Sequence, residues 1–184
     1  FDLAKASAMY DMSQRKYGVA AAVWNAFGPK YFSGIHAKEW VELVKSLELP
    51  LKLTAKYGAK EHVDRHALDW LMRGELVALA FASVKHQRTK HWALAVGVEG
   101  MASGSKHQPQ RILLLDPGGG EPSFKAFNAR LRLPTAGLGS RRAKQLHLPA
   151  DDAKPWTVFW HYESESWSAE LVRLLAAVRV RKLQ

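Results

Sequence analysis

Lys90-His91-Trp92-Ala93-Leu94-Ala95-Val96-Gly97-Val98 is an apolar run that opens on a histidine and closes on glycine and valine. Further along, Ile112-Leu113-Leu114-Leu115-Asp116-Pro117-Gly118 is a second apolar run, and it delivers an aspartate into a Pro-Gly turn. Short stretches rich in Val, Leu, Ile and aromatics, bounded by Gly, Pro and charged residues, have the pattern of strands. If these two are antiparallel neighbours, the start of the first lies beside the end of the second. His91 and Asp116 then meet through a carboxylate–imidazole hydrogen bond. Such a bond fixes the imidazole tautomer and supports its cationic form, which is the base-and-orienter half of a nucleophilic triad. Each signal alone is weak, because strand histidines are more often structural and Asp-Pro-Gly makes a turn wherever it occurs.

Outward from this pair, residues 76–84 and 156–162 carry the same strand signature, and 100–110 is a polar connection read as an exposed hairpin excursion. The first part of the chain has helical periodicity. Residues 18–27 form an Ala-, Val- and aromatic-rich segment that stops at Gly28-Pro29. Residues 38–47 place Trp40, Val44 and Leu47 on one face, and 61–72 do the same with Val63, Ala67, Trp70 and Leu71 before Gly74. At the C-terminus Trp167, Leu171, Leu174, Leu175 and Val178 make an apolar stripe at helical spacing, with Ser166 as N-cap and a basic end over 179–182. Residues 134–149 are Gly- and Arg-rich and read as a surface loop. The expected order is helices, then an antiparallel sheet, then a closing helix: an α+β fold in a single domain spanning 1–184.

The 184 residues, 47% of them apolar, suffice for one sizeable core. No apolar run approaches the roughly 20 residues that span a bilayer, and Phe1-Asp2-Leu3-Ala4-Lys5 lacks the basic-then-apolar order of a signal peptide. A formal net charge of +10 favours acidic partners, an acidic protein among them. Nucleic acid is disfavoured because no DNA- or RNA-reading motif accompanies the charge. His62 and His66, with Asp69 nearby, have metal-ligand spacing but no third distant ligand, so no metal is expected. Gly118-Gly119-Gly120 lacks the Lys-Ser/Thr of a phosphate loop and reads as a turn beside Asp116, so no cofactor is expected either. Of the seven tryptophans, Trp24, Trp40, Trp70 and Trp156 fall on apolar faces and read as core, whereas Trp160 and Trp167 read as candidates for a binding surface. With no cysteine in the chain, disulfides, thiolate metal sites and a thiol nucleophile are all excluded.

The His-Trp-Ala-Leu-Ala-Val-Gly run followed by Ile-Leu-Leu-Leu-Asp-Pro-Gly resembles the histidine and aspartate strands of the bacteriocin-processing, double-glycine peptidases of the papain-like superfamily. The resemblance covers roughly residues 10–130 and implies a papain-like fold with a cysteine opening the first helix. It also implies an upstream glutamine in the oxyanion hole, His91 as base and Asp116 as its orienter, with Trp92 shielding the pair. Two registers place the missing thiol. One sets Tyr17-Gly18 on the family's Cys-Gly pair, as in the degenerate peptidase-like domains of haemolysin-type exporters, which bind cargo without cutting it; Asp11 then occupies the glutamine position. The other takes Gln14 as the oxyanion residue and puts Ala20 at the nucleophile position, with Gly18 two residues before it, as in a peptidase disarmed by Cys-to-Ala replacement.

The sequence therefore leads to a polypeptide-binding domain with a peptidase's histidine and aspartate and no nucleophile. A true cysteine peptidase in disarmed form is one alternative, and a basic module for nucleic acid or an anionic surface is another. His91, Asp116, Gln14, Ala20 and Tyr17 are the catalytic-type positions, and Trp92 and Gly18 are the substrate-side ones.

Overall fold

The computed structural model describes residues 18–30, 34–85, 90–103, 106–119, 126–132, 159–164 and 169–183. The chain divides into two compact units, residues 1–51 and 52–184.

In the first unit, α1 (Gly18–Phe27) ends in a 3-10 turn over Gly28–Lys30, and α2 (Ala37–Ser46) follows. The Gly28-Pro29 break expected from the sequence stops α1, and Gly28 is also where the Trp24 ring packs: a Cβ there would come within 3.2 Å of it. The Phe27 and Trp40 rings meet at 6.4 Å, and Lys30 Nζ pairs with Glu39 Oε1 at 2.6 Å. Ring contact and ion pair together fasten the two helices.

The second unit is a closed antiparallel barrel. Its strands are β2 (Leu76–Ser83), β3 (Lys90–Ser103), β4 (Lys106–Leu115), β5 (Ala129–Arg132), β6 (Phe159–Ser164) and β7 (Glu170–Lys182). They run in the ring order β7-β2-β3-β4-β5-β6, and β6 pairs back onto β7. Along β7, β2 takes one edge while β6 and then β1 (Leu51–Tyr57) share the other. Side chains alternate across each strand, and the inward set fills the barrel: Leu79, Ile112, Leu114, Leu131, Trp160 and Val172 are fully buried. Each such aliphatic side chain contributes about 1.5–3 kcal/mol. One helix of this unit, α3 (Val63–Leu71), lays Val63, Ala67, Trp70 and Leu71 against β7, β2 and β3. Ala176, Ala177 and Val178 are consecutively buried, so both faces of β7 are covered along this stretch. Arg179 fastens the corner, with its guanidinium 5.3 Å over the Trp70 ring, 3.4 Å from Glu75 and 3.1 Å from Thr54.

The expected α+β, papain-like arrangement, with a helical half packed on a sheet and a closing C-terminal helix, is overturned by this barrel. Residues 170–182 are strand β7, not helix. Leu171, Leu174, Leu175 and Val178 do lie at helical spacing, but Val172, Leu174 and Ala177 are the register partners of Ser83, Phe81 and Leu79, which alternate on one face of β2. The second pattern wins because β7 is hydrogen-bonded along both edges, to β2 and to β6. A bulge opposite Ala80 and Phe81 shifts the alternation between the two halves of the strand and masks it in a period count. Strands β1 and β5 have weak sequence signatures, one being interrupted by Lys52 and Lys56 and the other only four residues long. The stretch 100–110 is the exposed hairpin excursion expected, with Gly100–Ser103 of β3 paired to Lys106–Pro109 of β4. Gly100 permits the pairing, because a Cβ there would collide with the Gln108 carbonyl oxygen. Trp160 is core rather than surface, at 0% exposure. The expected loop over 134–149, together with Trp156, Ser166 and Trp167, lies outside the described residues. Among the described residues no helix is long and apolar enough to cross a membrane.

Candidate functional site at one end of the barrel

Antiparallel pairing brings the last residues of β2, β4 and β6 and the first of β3, β5 and β7 to the same barrel end. His91, the second residue of β3, is cross-strand partner of Phe81 in β2, and its ring meets the Phe81 ring edge-on at 5.3 Å. Asp116 directly follows β4. Inward-facing Ile112 and Leu114 precede it at spacing two, so alternation aims its side chain into the barrel mouth. His91 Nε2 lies 2.6 Å from Asp116 Oδ1. The structure thus brings together the two residues that the sequence pairs.

Asp116 is held from every side. Gly118 N–H donates to Oδ1 at 2.6 Å, and the Tyr162 hydroxyl donates to Oδ2. Asn128 clamps the aspartate backbone: its Oδ1 accepts from Asp116 N–H at 2.7 Å and its Nδ2 donates to the Asp116 carbonyl at 2.8 Å. Gly118 and Gly119 are required by close approach. A Cβ at Gly118 would come within 3.0 Å of Asp116 Oδ1 and 3.2 Å of His91 Cε1, and one at Gly119 within 2.8 Å of Asn128 Nδ2. Gly118→Ala is therefore expected to push the Asp116 carboxylate off His91, costing about 1–3 kcal/mol of stability. It should also shift the His91 imidazole signals in NMR spectra, and an unchanged His91 environment would count against this packing.

The electrostatics follow from the geometry. Burial, the largest single influence on Asp116, raises its pKa, but hydrogen bonds from His91, Tyr162 and Gly118 outweigh it and hold the carboxyl below its ordinary value. Burial pushes the Tyr162 phenol up, and the Asp116 carboxylate that it serves pushes it further, so Tyr162 remains a donor. An ionised carboxylate only accepts hydrogen bonds, so His91 Nε2 carries the proton toward Asp116. In neutral imidazole the lone pair then resides on Nδ1. This is a base with its tautomer fixed by a buried acid, and the His91 side chain keeps 25% exposure while that of Asp116 keeps 1%.

A second polar pair sits at the same barrel end, where the buried Ser83 hydroxyl donates to Glu170 Oε2 at 2.6 Å. Sequence reasoning missed Tyr162, Asn128, Phe81 and this pair. Tyr162 and Phe81 lie in segments with a strand signature, and only the ring closure of the barrel aims them at Asp116 and His91. Asn128 carries no signal in the sequence.

Tyr17 and Gln14 lie outside the described residues. Ala20 lies in the first turn of α1, which Gly18 opens with φ +82°. Trp92 follows His91 in β3 and leaves the strand on the opposite face by alternation. His66 stacks on Trp70 at 5.6 Å, and among the described residues no three His, Asp or Glu side chains converge as metal ligands. No family model, curated protein or solved structure matches this chain.

Proposed function

We propose that the barrel end carrying His91 and Asp116 is a polypeptide-binding site of the cysteine-peptidase type that lacks its thiol. The observation that supports it is the 2.6 Å His91–Asp116 bond, made by a buried carboxylate to a part-exposed imidazole. A base oriented in this way is what acyl-transfer sites use to activate a nucleophile. A tie serving stability alone has no need to leave the imidazole accessible at the mouth of a barrel, which is where ligands commonly enter such folds. The chain has no cysteine. A tyrosine at position 17 is a poor nucleophile at neutral pH, its ordinary pKa being about 10. The site therefore binds peptide and does not cut it.

Titration with a casein digest is expected to move the His91 imidazole resonances while the digest stays uncleaved. Unmoved resonances at saturating digest would sink the binding reading, and turnover abolished by His91→Ala would sink the non-cleaving one.

A further inference from the structure

We infer that the outer face of β4, β5 and β6 is a docking surface for an acidic segment of polypeptide. Ile112, Leu114, Leu131, Trp160 and Tyr162 turn into the barrel. Alternation consequently sends Arg111, Arg130, Arg132 and His161 outward. The registers set these side chains next to one another, with Arg111 opposite Arg132 and Arg132 opposite His161. Neighbouring strands are about 4.8 Å apart, so the row spans roughly 10 Å with a basic side chain on each strand. Arg130 adds a further guanidinium on the same face, over the Phe127 ring at 4.9 Å.

Like charges directly opposite one another weaken a sheet, so the barrel gains no stability from this row. Two carboxylates moderate it: Glu99 accepts from Arg111 Nη1 and Glu163 from Arg132 Nε, each at 2.8 Å. Each bond engages one N–H of a guanidinium that carries five. Side-chain exposures of 32% and 44% in one pair and 40% and 34% in the other leave both open to water, where such pairs exchange at little cost. The face keeps a cationic excess, and it already shows the carboxylate–guanidinium geometry that a partner's Asp and Glu side chains would adopt. A single-stranded nucleic acid would call for open aromatic faces to stack on, and Phe127 on this face is covered by Arg130.

The test is fluorescence anisotropy of a labelled poly-L-glutamate peptide with the full chain, comparing R130Q/R132Q with K38Q/K52Q. The second variant removes the same charge from exposed positions elsewhere, and thermal melting confirms that both remain folded. Binding is expected to fall about tenfold in R130Q/R132Q, as the loss of two carboxylate–guanidinium contacts implies. It should change less than about twofold in K38Q/K52Q, where only net charge is altered. Equal losses in both variants would reduce the effect to net charge, and no loss would remove the surface; either overturns the proposal. Oligothymidylate of matched charge that binds as tightly, with the same dependence on Arg130 and Arg132, would overturn it in favour of a phosphate-binding face.

Discussion

Asp116→Ala is expected to destabilise the barrel by about 3 kcal/mol or more, because several donors lose one shared ionised acceptor and each buried donor left unsatisfied costs about 1–3 kcal/mol. The substitution strips His91, the Gly118 N–H and the Tyr162 hydroxyl of their common acceptor. Tyr162 is 2% exposed, so water cannot replace that acceptor without opening the end of the barrel. Asp116→Asn keeps the shape and one acceptor oxygen and should cost less, about 1–3 kcal/mol. Urea unfolding at neutral pH ranks the two, and equal stability of Asp116→Ala and the parent would refute the geometry. The pH dependence has a definite sign. The native carboxyl is held below its ordinary value of 3.8. Its contribution is therefore complete above that value and is lost as pH falls from there through the lower native pKa. Asp116→Asn has no such group to titrate and should lose less stability than the parent over that acid window.

Trp160→Ala carries the second large expected effect, about 3–5 kcal/mol, because truncation of a buried aromatic adds a cavity to the lost transfer energy. Trp160 is 0% exposed and belongs to the same core cluster as Leu79, Leu114 and Val172. If it lined a surface, the substitution would cost within about 0.5 kcal/mol. Urea midpoints separate these outcomes clearly. Trp160→Phe is a useful companion: the indole Nε1 has no hydrogen-bond partner among the described residues, so only volume is lost and the cost should be about 1–2 kcal/mol.

The pair at the heart of the site is legible in the amino-acid sequence because its signals are local. An apolar run that begins with His91 and another that ends in Asp116-Pro117-Gly118 need only antiparallel adjacency to meet, and β3 and β4 are adjacent. The supporting residues are not legible there, because their roles depend on contacts far apart in the chain. Tyr162 reaches Asp116 across 46 positions, and Ser83 reaches Glu170 across 87. Asn128 is an ordinary polar residue until the start of β5 brings it against the Asp116 backbone.

By itself the sequence determined the helices that end at Gly28-Pro29 and at Gly74, the strands around Ala80, Leu94 and Leu114, the absence of any thiol, and the meeting of His91 with Asp116. Each of these rests on short-range patterning or composition, which a chain carries wherever it folds. Tertiary structure alone decided the fate of residues 170–182. Their apolar residues satisfy a helix stripe and a strand alternation equally well, so local propensity left the choice open. Hydrogen bonding to β2 on one edge and to β6 on the other resolved it. A helix there would have left both of those strands with an unpaired edge, whereas a strand closes the ring and pairs their backbone groups at once.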